Sequence, residues 1–269
     1  MNPYSRVVRD CPDQAREFIY EHLCLRDNAG KTRLWQSLIQ ISNERASRPA
    51  SLRVLRRIWS AFCSPSPEAF RAFYQESHTP NRRKELRELG LPRISNLLDV
   101  GCGDGLVTTL IADEFRLEPG SVWGVDTSFP KWFEERFSAV TVSNGSRYRL
   151  PLVGNRFDLV VAFQSLHHMR DPFGCLSEVV RVLTDKGIVV IREHDVTSQT
   201  LRRFLYFVDS FFYEVIMNSS VPGFKPKYRS VVEWLALAQR SGLALIKAVH
   251  PRRCQVYNSV DLIFKKVSG

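Results

Sequence analysis

Apolar residues recur at helical spacing in the first part of the chain. Within residues 51–62, one stripe holds the large apolar side chains Leu52, Leu55, Ile58, Trp59 and Phe62. This spacing is typical of an amphipathic helix. The sequence Ser66-Pro67-Glu68 then offers an N-cap, a proline for the first turn and an acid beside it, and Gly90 can end a short basic helix. Residues 1–93 are therefore predicted to form a basic helical extension that could act as a lid.

From residue 94 onward, short apolar runs alternate with amphipathic segments. The runs predict strands at Leu97–Val100, Ser121–Asp126, Ala139–Ser143, Phe157–Phe163, Gly187–Arg192, Leu243–Val249 and Gln255–Phe264. The segments between them predict helices at Leu106–Phe115, Lys131–Phe137, Pro172–Leu183, Ser198–Met217 and Val231–Arg240. Such alternation implies an α/β fold with a mostly parallel twisted sheet. The last two strands have no helix between them, so residues 94–269 are predicted to form one domain with an antiparallel last strand.

Composition narrows the class of protein further. The chain has 269 residues and no apolar run that approaches the roughly 18 residues of a membrane span. Its first residues have no apolar core of a signal peptide, so we expect an intracellular, cytoplasmic protein. The six cysteines are scattered without a C-x-x-C pair, which favours buried thiols over a metal site or a disulfide framework.

The net charge of +10 is unevenly distributed. Residues 1–95 carry 17 Lys and Arg against 10 Asp and Glu, residues 96–224 carry 12 against 16, and residues 225–269 carry 9 against 2. Basic ends that flank an acidic middle suit a polyanionic substrate held by its phosphates. They equally suit a basic surface that only favours solubility.

A glycine-rich turn follows the first predicted strand, in Asp99-Val-Gly101-Cys-Gly103-Asp-Gly105. A dinucleotide site would have the spacing G-x-G-x-x-G, whereas this turn has G-x-G-x-G after an acid. A carboxylate there suits a cationic ligand such as the ammonium group of a methionine moiety. Asp126 ends the second predicted strand, where a carboxylate can accept hydrogen bonds from two ribose hydroxyls. The glycine spacing therefore argues against an oxidoreductase.

These motifs resemble those of the class I S-adenosylmethionine-dependent methyltransferases. The resemblance rests on LLDVGCGDG, WGVD, SNGSRYRLPL, FDLVVAFQSLHHM and LSEVVRVLTDKGIVVI in that order. It implies a Rossmann-like methyltransferase fold and S-adenosyl-L-methionine as the cofactor.

The resemblance also implies a set of cofactor-binding residues. Asp99, Gly101 and Gly103 would line the methionine part, and Asp126 would hold the ribose. Asn144 stands where related proteins often have an Asp near the adenine. Phe163, Gln164 and Ser165 would flank the sulfonium. The predicted set also includes the neighbouring residues Cys102, Thr127 and Gly145.

The segment after the fifth strand, together with Tyr213-Glu214 and Tyr228-Arg229, is similar to a branch of viral methyltransferases. That similarity favours RNA as the methyl acceptor. The 5′ cap, which is methylated in mRNA capping, is one such acceptor. The 2′-O enzymes of this kind use a Lys-Asp-Lys-Glu set, but here the fourth strand ends in Phe163-Gln164 and the fifth in Arg192-Glu193. The sequence therefore speaks against that mechanism.

Polar residues at the predicted strand ends are the candidates for catalysis. His167, Glu193 and His194 are predicted to contact the acceptor or act as a base. Alternatively, one histidine of the pair His167-His168 packs under the following helix and the other is solvated. Glu193 and His194 could likewise be solvated beside an Asp195 that caps a helix.

Three functional hypotheses remain open. In the first, the protein methylates RNA. The phosphates would then be bound by basic N-terminal and C-terminal residues: Arg53, Arg56, Arg57, Arg82, Arg83, Lys84, Lys225, Lys227, Arg229, Arg252 and Arg253. In the second, the same fold methylates a small metabolite under a helical lid. In the third, an inactive scaffold keeps the cofactor and binds a protein partner. No membrane association is expected.

Overall fold

The computed structural model describes residues 2–23, 28–63, 83–127, 131–142, 148–218, 226–250 and 257–267. The chain divides into two compact units. A helical unit comprises Met1–His78 and Val196–Phe224, and a sheet unit comprises Thr79–Asp195 and Lys225–Gly269. The sequence-based division at residue 93 differs from this one, because residues 79–93 join the sheet unit and the long amphipathic helix joins the helical unit.

The sheet unit is built on seven strands, which confirms the predicted α/β class. They are β1 (Leu97–Val100), β2 (Val122–Asp126), β3 (Ser138–Thr141), β4 (Phe157–Phe163), β5 (Leu183–His194), β6 (Leu243–Val249) and β7 (Ser259–Lys266). Their order is β3-β2-β1-β4-β5-β7-β6. The first five run parallel, and β7 pairs antiparallel with both β5 and β6. The antiparallel end of the sheet is therefore confirmed.

Strand β1 lies at the point where the strand order reverses. It pairs with β2 on one side and with β4 on the other. In an open parallel sheet, ligands bind beside the carboxyl ends of the strands at this switch point. The residues after β1 and β4 are therefore the first place to look for a site.

Buried side chains cover both faces of the sheet. Leu98 and Val160 belong to one apolar cluster, whereas their strand neighbours Leu97 and Val161 belong to the other. Successive strand residues point to opposite faces, so strands buried on both sides read as continuous apolar runs. Helices pack on these faces: α5 (83–88), α6 (Leu106–Phe115), α7 (Lys131–Arg136), α8 (Pro172–Val182) and α10 (Val231–Arg240).

The helical unit consists of short helices around an aromatic core. They are α1 (Val7–Asp10), α2 (Pro12–Glu17), α3 (Asn28–Asn43), α4 (Arg48–Ile58) and α9 (Gln199–Ser210), and α9 continues as a π-helical turn over Phe211–Ile216. Phe18 contacts the rings of Phe204, Phe207 and Phe211 edge-on. The apolar side of α9 is therefore core.

Polar contacts also fasten α9 to the amino-terminal helices. The Tyr4 hydroxyl donates to Glu214 Oε2 at 2.7 Å, and Arg48 pairs with the same carboxylate at 2.8 Å. These contacts between residues far apart in sequence explain why α9 lies in the helical unit.

Several predicted bounds differ from the observed ones. Strand β5 is longer than predicted and includes Glu193 and His194, because both residues pair with β7. The predicted helix start at Ser66-Pro67-Glu68 and the strand residues near Gln255 lie outside the described residues. Among the described residues, none of the helices has the length and apolar character needed to cross a membrane.

Candidate functional site at the carboxyl ends of the strands

The turn after β1 has a backbone that only glycine adopts readily. Gly101, Gly103 and Gly105 have φ angles of +77°, +56° and +75°, in the left-handed region that a Cβ disfavours. The Gly101 N–H donates to Val125 O at 2.7 Å, so pairing with β2 continues one residue beyond β1. Gly105 then precedes the first turn of α6.

Gly101 also lies against Ser165, which follows β4. A Cβ added at Gly101 would be 2.3 Å from Ser165 Cβ and 2.8 Å from its Oγ. The Ser165 hydroxyl donates to Val100 O at 2.8 Å. The structure thus brings together two of the predicted cofactor residues, Gly101 and Ser165, at the switch point of the sheet.

Asp126, at the end of β2, bonds to the glycine turn. Its Oδ2 accepts the Gly103 N–H at 2.8 Å, and its Oδ1 accepts the Thr127 N–H at 2.6 Å. The residue is only half-buried, and a Cβ added at Gly103 would meet no atom of the described residues within 4 Å. An accessible carboxylate therefore lies beside open space over a glycine, an arrangement that fits ribose hydroxyls.

Asp99 has a different environment from Asp126. It is 2% exposed, and its Oδ2 accepts the Thr108 hydroxyl of α6 at 2.6 Å. Burial, with help from the charges of Asp126 and Asp104, raises the pKa of Asp99 to about 7, although the Thr108 hydrogen bond opposes the shift. Asp99 therefore ties β1 to α6, and Asp126 is the more accessible of these two carboxylates.

The remaining predicted cofactor residues lie within this turn, lie at the carboxyl end of β4 or fall outside the described chain. Cys102 is buried, and burial raises the pKa of its thiol, so the thiolate is disfavoured. Gln164 has a φ of +52°, and its N–H donates to Arg192 O at 2.7 Å. Phe163 is half-buried at the end of β4. Asn144 and Gly145 lie outside the described residues.

A cluster of rings surrounds a buried carboxylate at the ends of β4 and β5. Glu193 Oε2 lies 2.7 Å from His167 Nδ1, and Glu193 Oε1 accepts the His167 backbone N–H at 3.2 Å. Glu193 is 0% exposed and His167 1%. Burial by itself would raise the pKa of Glu193, but the charge and hydrogen bond of His167, with the charges of His194 and His168, lower it. The carboxylate is therefore ionised at neutral pH.

Three further rings lie close to His167. The centroid of the His168 ring is 3.9 Å away, that of Tyr228 5.2 Å and that of His194 5.5 Å. His194 Nδ1 lies 2.9 Å from Tyr257 O. Since a carbonyl oxygen only accepts, that nitrogen carries a hydrogen. Within this cluster, His168 is half-buried, whereas His167 and His194 are buried.

These positions bear on the alternatives for the polar residues near the strand ends. Glu193 and His194 are not solvated, because both lie within β5 and are covered. Asp195 accepts the N–H of Val231 at 2.7 Å at the start of α10, as its capping role required. His167 is buried, whereas His168 is half-buried rather than solvated as the structural interpretation of this pair expected.

Sequence reasoning missed one buried ion-pair network. Arg192, 2% exposed, makes two hydrogen bonds to Asp261 at 2.6 and 2.7 Å and one to Glu85 at 2.9 Å. Its guanidinium also lies over the Phe163 ring, 4.9 Å from the centroid. The signal was present, because Arg192 and Asp261 are charges of opposite sign that adjoin apolar residues in two strands.

Several of the basic residues considered for phosphate binding contact the protein itself. Arg56 Nε donates to Glu214 O at 2.6 Å, and Lys227 Nζ donates to Arg170 O at 2.9 Å. Arg229 lies over the Trp234 ring, and Arg53 and Arg57 are exposed on α4. The pair Arg83 and Asp113 is separated by 3.6 Å, and Lys84 is exposed. The residues outside the described chain are Arg82, Lys225, Arg252 and Arg253.

Known proteins are similar in sequence to the part of the chain that contains the glycine turn. Residues 98–191 match the family model described as a methyltransferase domain. An uncharacterised methyltransferase of Schizosaccharomyces pombe is 33% identical over 119 residues, which are 39% of this chain and 42% of that protein. A demethylmenaquinone methyltransferase of Bacillus licheniformis is 29% identical, over 49% of this chain and 59% of that protein. The match thus spans about half the length of these curated relatives.

Solved structures resemble the chain in fold. A SAM-dependent methyltransferase from Thermotoga maritima covers 86% of this chain with a TM-score of 0.50 and 15% identity, and 99% of its own chain is covered. A chain from a complex with the Haloferax volcanii Trm112 methyltransferase activator covers 72% of this chain with a TM-score of 0.52 and 13% identity, and 94% of its own chain is covered. The fold is therefore that of Rossmann-like methyltransferases.

Proposed function

We propose that the whole chain transfers the methyl group of S-adenosylmethionine to a small-molecule acceptor, because residues 98–191 match the family model described as a methyltransferase domain. The observation that carries the proposal is the pairing of Asp126 with Gly103 beside open space, within the segment that matches the family. S-adenosyl-L-methionine is the cofactor of this class, and when bound it supplies an activated methyl group on a sulfonium.

The residues of the turn fit such a cofactor. Gly101 and Gly103 would let the backbone lie along the methionine part, and Asp126 would hold the ribose hydroxyls. Carboxylates near the site, Asp126 and Asp104 among them, also suit a ligand that carries a positive charge. Thr127 follows Asp126, Phe163 and Gln164 lie at the carboxyl end of β4 beside β1, and these residues would complete the binding surface.

Two observations support a small-molecule acceptor. One relative is named for demethylmenaquinone, a small molecule. In addition, several basic residues that a phosphate-binding surface would need contact this protein itself, among them Arg56 and Lys227. These contacts leave a smaller basic surface than the sequence predicted.

Calorimetry with the purified full-length chain tests the proposal. S-adenosylmethionine and its demethylated product should both release heat on binding. The variant Asp126→Ala should bind at least tenfold more weakly, while Asp185→Ala, a change at an 86% exposed side chain, should bind as the wild type does. Absence of heat with both nucleosides for the wild type would overturn the proposed function.

An RNA acceptor remains a second candidate, favoured by the exposed Arg53 and Arg57 on α4 and by the net charge of +10. The 5′ cap and the viral branch stay predictions under this candidate. Filter binding decides it, because affinity for RNA should fall steeply between about 50 and 200 mM salt if several phosphates are bound. Binding of S-adenosylmethionine without any salt-dependent binding of RNA would leave the small-molecule acceptor.

A further inference from the structure

A ring cluster at the ends of β4 and β5 contains a buried charge. It consists of Glu193 and the rings of His167, His168, His194 and Tyr228. An ionised carboxylate with no exposure costs several kcal/mol to desolvate unless it is paired. Glu193 is paired with His167, and two more imidazoles, those of His168 and His194, act on the same charge. Perturbed titratable groups of this kind concentrate at functional sites.

The cluster has one member that a ligand could reach. His167 and His194 are buried, but His168 is half-buried, and its ring lies 3.9 Å from that of His167. A proton taken up by His168 would lie near the carboxylate of Glu193, whose negative charge stabilises an imidazolium. His168 is thus accessible to a ligand and lies near the buried carboxylate of Glu193.

The position of His168 relates it to the predicted cofactor site. It lies in the short 3-10 turn Leu166–His168 directly after Ser165, the residue in contact with the Gly101 turn. A base at this place would stand beside the acceptor at the carboxyl end of β4. We propose that His168 is the base that removes a proton from a planar hydroxyl acceptor of the phenol or quinol class.

The proposal rests on the proposed function and names the acceptor side of the same site. Hydroxyl acceptors need a base, whereas an unprotonated ring nitrogen does not. The half-buried ring of His168 favours a planar aromatic acceptor, because aromatic groups pack well edge-on or offset.

The chemistry balances without any further reactant. His168 takes the hydroxyl proton, and the oxygen uses its electron pair to form the bond to the methyl carbon. The sulfur keeps the pair of the broken carbon–sulfur bond and becomes a neutral thioether. The imidazolium then returns its proton to water.

Glu193 and His167 are positioning residues in this scheme. Because the carboxylate accepts from both the backbone N–H and Nδ1 of His167, it fixes the turn that carries His168 and supplies the negative charge behind it. Glu193→Gln keeps the shape but removes that charge. We therefore expect it to lower kcat by about 10²-fold or more, within the range of general-base effects.

The experiment uses transfer of labelled methyl to a pair of phenols of different acidity. The wild type should methylate both 4-methylphenol and the more acidic 4-nitrophenol. His168→Ala should lose about 10²–10⁴-fold in rate with 4-methylphenol, and much less with 4-nitrophenol, which ionises without help. Added imidazole should restore part of the lost rate, because the half-exposed site is left with space for it.

Controls separate the base from a merely structural role. His250→Gln, a change at an exposed histidine after β6, should behave as the wild type. His168→Ala should bind S-adenosylmethionine with unchanged heat, and the thermal melt should show that it is folded. His168→Gln is a second variant should the alanine variant unfold.

Several outcomes would overturn the inference. Equal losses with both phenols and no rescue by imidazole would mean that His168 is structural. No methylation of either phenol, or label only in the ribose of RNA, would exclude the acceptor class while binding of S-adenosylmethionine persists. Failure of that binding would instead refute the proposed function itself.

Discussion

Replacing Gly101 by alanine tests how β1 and β4 are packed at the switch point. The new Cβ would lie 2.3 Å from Ser165 Cβ, far closer than an ordinary carbon–carbon contact, and φ is +77°. Gly103→Ala is the matched control, because its φ is +56° but, in the described part of the chain, its Cβ would meet nothing within 4 Å. The difference between the two variants therefore isolates the contact with Ser165.

The magnitudes follow from these two terms. The left-handed backbone costs a non-glycine residue roughly 1–2 kcal/mol, and both variants incur that cost. Overpacking adds about 1–3 kcal/mol, and only Gly101→Ala incurs it, because Ser165 is buried and bonded to Val100 O. We expect the free energy of unfolding of Gly101→Ala to be lower than that of Gly103→Ala by about 1–3 kcal/mol.

Urea unfolding followed by tryptophan fluorescence measures this difference, and the double variant Gly101→Ala/Ser165→Gly completes a mutant cycle. Removing the Ser165 side chain should recover most of the overpacking cost. If Gly101→Ala and Gly103→Ala are equally stable, or if the second substitution recovers nothing, the close contact between the β1 turn and Ser165 does not exist.

Three further predictions address the same edge of the sheet. Gly103→Ala should keep most of its stability but bind S-adenosylmethionine at least tenfold more weakly by calorimetry, because its Cβ enters the open space beside Asp126; unchanged affinity would contradict the predicted site. Folding raises the pKa of Asp99 from 3.8 to about 7, so between these pH values the unfolded chain has released a proton that the folded chain retains. The free energy of unfolding should therefore fall as pH rises from about 4 to 7, by an amount on the order of 4 kcal/mol, and level off above pH 7. Asp99→Asn should lack this decline. An equal decline in the wild type and the variant would mean that another titratable group causes it. Arg192→Ala should destabilise the fold by about 3–5 kcal/mol, since it leaves Asp261 buried without its partner, whereas the double variant Arg192→Met/Asp261→Leu should cost less in the same urea titration.

The sequence by itself determined the sheet and its glycine turn. Strands buried on both faces are mostly apolar, so β1, β4 and the middle of β5 are visible as largely apolar runs. The left-handed backbone after β1 requires glycine, so Gly101, Gly103 and Gly105 are visible as a spacing. Both are local constraints, since each residue is chosen for the conformation or burial of its own position.

Only the tertiary structure decided which charges are paired and which are accessible. Arg192 and Asp261 are 69 positions apart, and Glu193 and His167 are 26 apart, so neither pair has a spacing that sequence patterns reveal. The extension of β5 through His194 depends on pairing with the antiparallel strand β7. The local sequence of β5 does not reveal that pairing. Because α9 is held by Tyr4 and Arg48, its place in the helical unit was likewise decided by contacts between distant segments rather than by its own amphipathic pattern.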